Sequence, residues 1–271
     1  MKLNTLTKMT EHFADTPPMP VLFLGHGNPM NAIEDNEFSQ GWAAMGKTIT
    51  KPKAILCISA HWETSGTFIT AMDKPQTIHD FGGFPQALFD VQYPAKGNVE
   101  LAKETQSGIK KAAVGLNYDW GLDHGCWSVL NRMYPNADVP VLQLSLDYNQ
   151  TAQWHYELAK ELAFLRKKGV LIIGSGNIVH NLGLVNWKDD QTFDWAVEAN
   201  ATVKKLITAN DFKSLIEYSK LGKSLQLAVP TPEHYLPLLY SLALKTDSET
   251  LSYFNDKLVM GSISMTSVKI G

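Results

Sequence analysis

The sequence predicts an α/β fold: a single domain with a central mostly parallel or mixed sheet and helices on both faces. Two observations carry this. Short runs that are apolar on both sides alternate with amphipathic segments of helical period, the pattern of buried parallel strands covered by crossover helices. The chain has 271 residues, 44% of them hydrophobic, enough for one large core. There is no internal repeat, low-complexity tract or clear linker, so one domain over 19–271 is expected after an N-terminal arm over 1–18.

Taken in order, buried strands are expected at 20–25 (PVLFLG), 54–60 (AILCISA), 67–72 (TFITAM), 139–146 (VPVLQLSL) and 170–174 (VLIIG). Two later stretches, 251–259 and 262–269, read as weaker and more exposed strands. Helical patterns cover 98–112, 125–133, 151–168, 193–208 and 231–244. In 151–168, Trp154, Leu158, Leu162 and Leu165 recur at three to four residues, one face of a helix, and Gly169 follows as a C-terminal cap would.

The formal net charge of −3 gives no basic surface for nucleic acid or anionic membrane. There is no apolar run of about 18 residues to span a bilayer, and the first 20 residues lack the ~7–15-residue apolar stretch of a secretory signal. Cys57 and Cys126 are expected to be reduced, packed residues of a cytoplasmic protein. The sequons at Asn149 and Asn200 carry no weight in that compartment.

Ligands of open α/β sheets collect at the carboxyl ends of the strands. There the sequence places histidines: His26 in Gly25-His26-Gly27, His61 after AILCISA, and His180 after VLIIGSGNIV. His124 precedes the 139–146 strand in DWGLDHGCW, and His234 opens a helical pattern in VPTPEHYLPLLY. Any one histidine is ordinarily a surface or hydrogen-bonded polar group. The set beside glycines is less ordinary, because glycine admits a close backbone or ligand approach; those flanking His26 are expected to leave room at a bound metal. Thr231 as N-cap and Pro232 as first helical residue would put His234 in a first turn, where the helix dipole favours neutral imidazole. Pro237 would then bend that helix or hold its first turn irregular. Neutral His26, His61 and His234 together could hold a divalent metal and leave coordination positions open. Of the other three, His12 lies in the arm, His155 on a helix rich in solvated residues, and His79 in TIHDFGGFP.

Other signatures fail. LGKS at 221–224 lacks the glycine of a phosphate loop, since Glu217 stands there; GSGNIV lacks the third glycine of a dinucleotide loop; and no G-x-S-x-G elbow occurs.

FLGHGNPM, SAHWET, TIHDFGGFPQALFD, WGLDHGCWSVL, VPVLQLSLD, SGNIVHNL and PTPEHYLPLLY together resemble the 4,5-DOPA extradiol dioxygenase family. It belongs to the class III ring-cleaving enzymes, which are similar to the protocatechuate 4,5-dioxygenase beta subunit. The resemblance runs from about residue 19 to the C-terminus. It implies a mixed sheet in one α/β domain, with metal ligands His26, His61 and His234, acid/base His180 and second-sphere His124. The wider class has a glutamate as third ligand, and the motif here offers both Glu233 and His234; the DOPA-type branch carries the histidine. The resemblance also admits His180 as a fourth ligand at rest. The implied substrates are a catechol such as DOPA and O2, both of whose atoms enter a muconic semialdehyde product. The implied metal is Fe(II), because zinc has no redox chemistry; Zn(II) in the site would be a substitute. A histidine of ordinary pKa about 6.5 suits proton transfer to and from the diol.

Trp62, Phe81, Phe84, Trp127 and Tyr235 could wall a flat aromatic pocket, or simply pack the core. His79 and Asp80 could close the pocket, orient a ligand, or brace their loop. Two other readings use the same three histidines: a zinc hydrolase that ionises water, with His180 or Glu233 as base, and a non-catalytic metal-binding protein.

Overall fold

In the computed structural model, residues 16–186 and 191–271 are described; most of the expected arm, with His12, lies outside them. The central sheet has six strands: β1 (Val21–Gly25), β2 (Ala54–Ser59), β3 (Val141–Gln143), β4 (Val170–Gly176), β5 (Leu251–Phe254) and β6 (Ser267–Ile270). Their order is β5-β6-β1-β4-β2-β3. The four from β1 to β3 in that order run parallel, while β6 is antiparallel to both β1 and β5. The sheet is therefore mixed, with a parallel heart.

Among the described residues the α-helices of five residues or more are α1 (Glu37–Thr48), α2 (Val99–Gly108), α3 (His124–Met133), α4 (Ala152–Lys160), α5 (Ala163–Lys167), α6 (Asp194–Thr208), α7 (Phe212–Ile216), α8 (Lys223–Ala228) and α9 (Leu236–Ala243). Alternation along β1 shows how the layers form. Val21 and Phe23 join the core under α4, α6 and α9, whereas Leu22 and Leu24 join Trp42 of α1 and Trp127 of α3 on the other face. Burying each such side chain contributes about 1.5–3 kcal/mol, so both faces need a helical cover. Cys57 and Cys126 are free and buried in the second core, where burial and the Cys57 thiol push the Cys126 thiol up.

Several elements depart from the sequence reading. The 151–168 pattern is two helices, because hydrogen bonds tighten to the third residue back at Glu161 and Leu162. The apolar stripe survives this step: Leu158, Leu162 and Leu165 are all buried. The 67–72 run stays outside the central sheet; Phe68–Thr70 pairs with Gly115–Asn117 instead. The 139–146 run leaves the sheet after Gln143, where Ser145 Oγ accepts from Phe68 N. The final strand is not exposed, since β6 is hydrogen-bonded between β1 and β5. Helix α1 had no expectation attached to it. It carries only Ser39, Trp42 and Gly46 as buried residues, too sparse a stripe to read as a helix.

The pairing register brings the strand ends level. Gly25 of β1 lies opposite Gly176 of β4, and Ser175 of β4 opposite Ser59 of β2. The chain turns off the sheet at these points, and the histidines follow.

Candidate metal centre

His26 directly follows β1, its N–H donating to Gly176 O at 3.1 Å, and His61 lies two residues past β2. His124 opens α3, where Asp123 caps the helix by accepting from Cys126 N. Gly125 lets this helix start rest on the end of β2: a Cβ there would sit 2.5 Å from Ser59 Oγ. His234 is drawn in from a distant segment. Its carbonyl accepts from Asn177 N at 2.8 Å, an approach open because a Cβ on Gly176 would lie 2.1 Å from that oxygen.

His234 does not lie in a helical first turn. Thr231 Oγ1 donates to Glu233, and α9 begins only at Leu236 with Pro237 in its opening turn. Proline is tolerated there and not further in, so Pro237 does not bend the helix; the turn before it is irregular instead, with Tyr235 N and Leu236 N both donating to Pro232 O. The neutrality of His234 comes from burial, not from the dipole.

The ring centroids of His26, His61 and His234 lie 5.0–5.3 Å apart. The ligand atoms of His26, His61 and His124 come within 4.8 Å of one another, as do those of His180, Glu233 and His234. The three rings expected as ligands thus straddle two tight clusters that share one cavity.

The proton inventory of these rings fits a cation. Ser175 commits its hydroxyl proton to Gly125 O, so at 3.0 Å its oxygen accepts from His26 Nδ1. His61 Nδ1 faces Asp80 Oδ2 at 3.3 Å, and His234 Nδ1 faces Glu233 Oε1 at 3.1 Å. With the protons on Nδ1, each Nε2 presents a bare lone pair. His26 Nε2 and His61 Nε2 face each other at 3.1 Å, and His234 Nε2 is buried without a partner. Two lone pairs so placed repel unless a cation lies between them. Ligands each about 2.0–2.1 Å from one ion span such a gap.

Burial, reinforced by the neighbouring histidines, holds His26, His61 and His234 well below the usual imidazole range. His180 is lowered to about 4 by burial, against the opposing charge of Glu233. These rings are neutral at pH 7, as metal ligands and bases must be. Asp80 is pushed up by burial, but contacts with His124 and His61 outweigh this and its pKa falls.

The cavity has a volume of about 320 Å³. His26, His61, His124, His180, His234 and Asp80 form its polar end; Pro29, Phe81, Phe84, Leu182, Met260 and Ile263 form an apolar wall. Of the expected aromatics, Phe81 and Phe84 line it and the others do not. Trp62 stacks on Trp120 with centroids 5.6 Å apart. Tyr235 is buried, its hydroxyl donating to Leu215 O. Trp127 lies beneath the 78–84 loop, with Nε1 donating to Ile78 O at 2.8 Å. His79 Nε2 donates to Val91 O and braces that loop from outside the cavity. His155 is not solvated: it is buried between Tyr240 Oη and Asp147 O.

The glycines flanking His26 also need correction. A Cβ on Gly25 would meet Met265 backbone at 2.6 Å, and Gly27 has φ +56° with Met265 Sδ 2.3 Å from its Cβ position. They make room for Met265, although Gly27 also borders the cavity. The sequence reading missed Ser175, Ser59, Asp123 and Gln143. Buried Asp123 accepts from Ser59 Oγ and Gln143 Nε2, tying β2, β3 and α3 together behind the histidines. Its place immediately before His124 was the available signal.

Comparison with known proteins places the chain in a family. A protein of Escherichia coli strain K12 named 4,5-DOPA dioxygenase extradiol is 46% identical over 260 residues, covering 93% of this chain and 95% of that protein. One of the same name from Beta vulgaris is 36% identical over 257 residues, covering 91% and 94%. The crystal structure of an uncharacterized protein from Escherichia coli K12 superimposes with a TM-score of 0.82 at 42% identity, covering 93% of this chain and all 100% of that one. The family model of the catalytic LigB subunit of aromatic ring-opening dioxygenase matches residues 17–260, and the chain belongs to that family.

Proposed function

We propose that this protein is an extradiol dioxygenase that opens a catechol ring beside its diol, with DOPA the first candidate substrate and a muconic semialdehyde the product. The observation that carries the reading is the close approach of the His26, His61 and His234 rings, centroids 5.0–5.3 Å apart, each held from behind at Nδ1 by Ser175, Asp80 or Glu233. These three would hold one divalent metal; Fe(II) fits best, because it can pass an electron between catecholate and O2. Family membership and the relatives' names support the substrate class.

The chain's own groups have distinct tasks in this reading. Neutral His180, its ring at the cavity, takes a proton from a substrate hydroxyl and returns it to the leaving oxygen. His124, on the opposite flank beside His61, donates a hydrogen bond to oxygen at the reacting centre. Phe81 and Phe84 offer flat apolar surface to the ring, and the apolar wall excludes water. Two buried free thiols support a place in the reducing cytoplasm.

The test is anaerobic reconstitution with Fe(II), followed by O2 and either L-DOPA or simple catechols. Oxygen uptake with a yellow product is expected. Zinc-dependent ester or amide cleavage without oxygen uptake would replace the reading with a hydrolase; metal binding without either activity would leave a metal-binding protein.

A further inference from the structure

We infer that Asp80 is a shared positioning residue that couples the placement of His124 to the metal-holding face through His61. This rests on the reading of His61 as a metal ligand.

Asp80 differs from the other two groups behind the ligand rings. Ser175 serves His26 and Glu233 serves its neighbour His234. Asp80 serves two rings on two separate elements. Its Oδ2 lies 3.3 Å from His61 Nδ1, past the end of β2. Its Oδ1 lies 3.0 Å from His124 Nδ1, at the start of α3, and accepts from His124 N at 2.9 Å. The His124 Nδ1 contact is a close approach without hydrogen-bond alignment and the backbone one an aligned hydrogen bond, so the carboxylate fixes where α3 begins and lies against its first ring.

The carboxylate is itself fixed. Its side chain is 18% exposed, so water competes little for its oxygens. Its loop is pinned at Ile78, whose N–H donates to Leu122 O and whose carbonyl accepts from Trp127 Nε1. Phe81 packs on Trp127 on the other side of Asp80. Held this way, the carboxylate cannot follow one ring without pulling the other, and the ring centroids of His61 and His124 lie only 3.9 Å apart. A shift of His61 on metal loading therefore moves His124, and a change at His124 is felt at the metal.

The experiment uses Co(II) under anaerobic conditions, with affinity read by chelator competition and ligand geometry by the visible spectrum. Asp80→Asn is expected to weaken cobalt binding about 10–100-fold. His124→Gln is expected to change the cobalt spectrum of otherwise unaltered protein, but to change nothing further in the Asp80→Asn background. Cobalt affinity of Asp80→Asn equal to that of the parent overturns the inference, as do independent, additive effects of the two substitutions. Should Asp80→Asn not fold, Asp80→Glu, which keeps the charge at a shifted position, is judged by the same two criteria. Failure of the parent protein to bind cobalt would instead sink the metal-site reading beneath the inference.

Discussion

The rings of His180 and His234 are stacked, their planes 8° apart and their centroids 3.5 Å apart. An imidazole lone pair lies in the ring plane, so one ion cannot lie in two parallel planes at that separation. An ion held by His234, as proposed, would have His180 beside it and not as a second ligand in the same plane. His180→Ala should therefore bind metal within a few-fold of the parent affinity and lose turnover by about 10²–10⁴-fold. Chelator competition and single-turnover kinetics on the same preparations check both parts.

A metal that binds only the folded protein stabilises it, by about 2.7 kcal/mol at 100 times Kd. Adding Fe(II) or Co(II) to chelator-treated protein should raise Tm. His234→Ala removes the buried, partnerless Nε2 and should abolish most of that rise. Calorimetry with and without metal decides it.

Gly27→Val puts a β-branched residue at φ +56° against Met265 Sδ. The strained backbone costs about 1–3 kcal/mol. Stability should fall together with activity, contrary to a pure ligand-space role. Urea denaturation measures the loss, and a normal midpoint with lost turnover would restore that simpler role.

Burial lowers His155 to about 4, far from the metal face, while an unfolded histidine titrates near 6.5. Above 6.5 the ring is neutral in both states and its contribution is fully present. As the pH falls from 6.5 towards 4, the unfolded chain takes up a proton that the folded one refuses, so stability declines. His155→Gln should lose less stability than the parent between pH 7.5 and pH 4.5, measured by denaturant midpoints on metal-free protein.

How far the sequence reached can be argued from single residues. His26, His61 and His180 were legible because strand ends are legible: an apolar run stopping at glycine or serine marks the edge of a sheet. His234 was legible as a residue, but its setting was not, because Pro237 was read as interior to a helix that it instead begins. Asp80 was legible only as an open choice, since its two imidazole partners come from segments that approach only in the fold. Trp62 and Tyr235 misled for a related reason. Each directly follows a site histidine, and both turn away from it into the core. Helix α1 escaped because Gly41 and Gly46 weaken its propensity; both are kept for close contacts, with Asn255 and with Met133 O.

The place of β6 has a consequence for synthesis. The strand that seals the outer edge of β1, pairing Val21 with Ile270 and Phe23 with Val268, leaves the ribosome long after β1 does. Through most of translation, β1 can offer an open row of N–H and C=O groups to any other extended chain. Newborn copies should thus be prone to clumping until β6 has emerged, and truncations that remove Ser267–Ile270 should yield aggregates rather than a weakened enzyme.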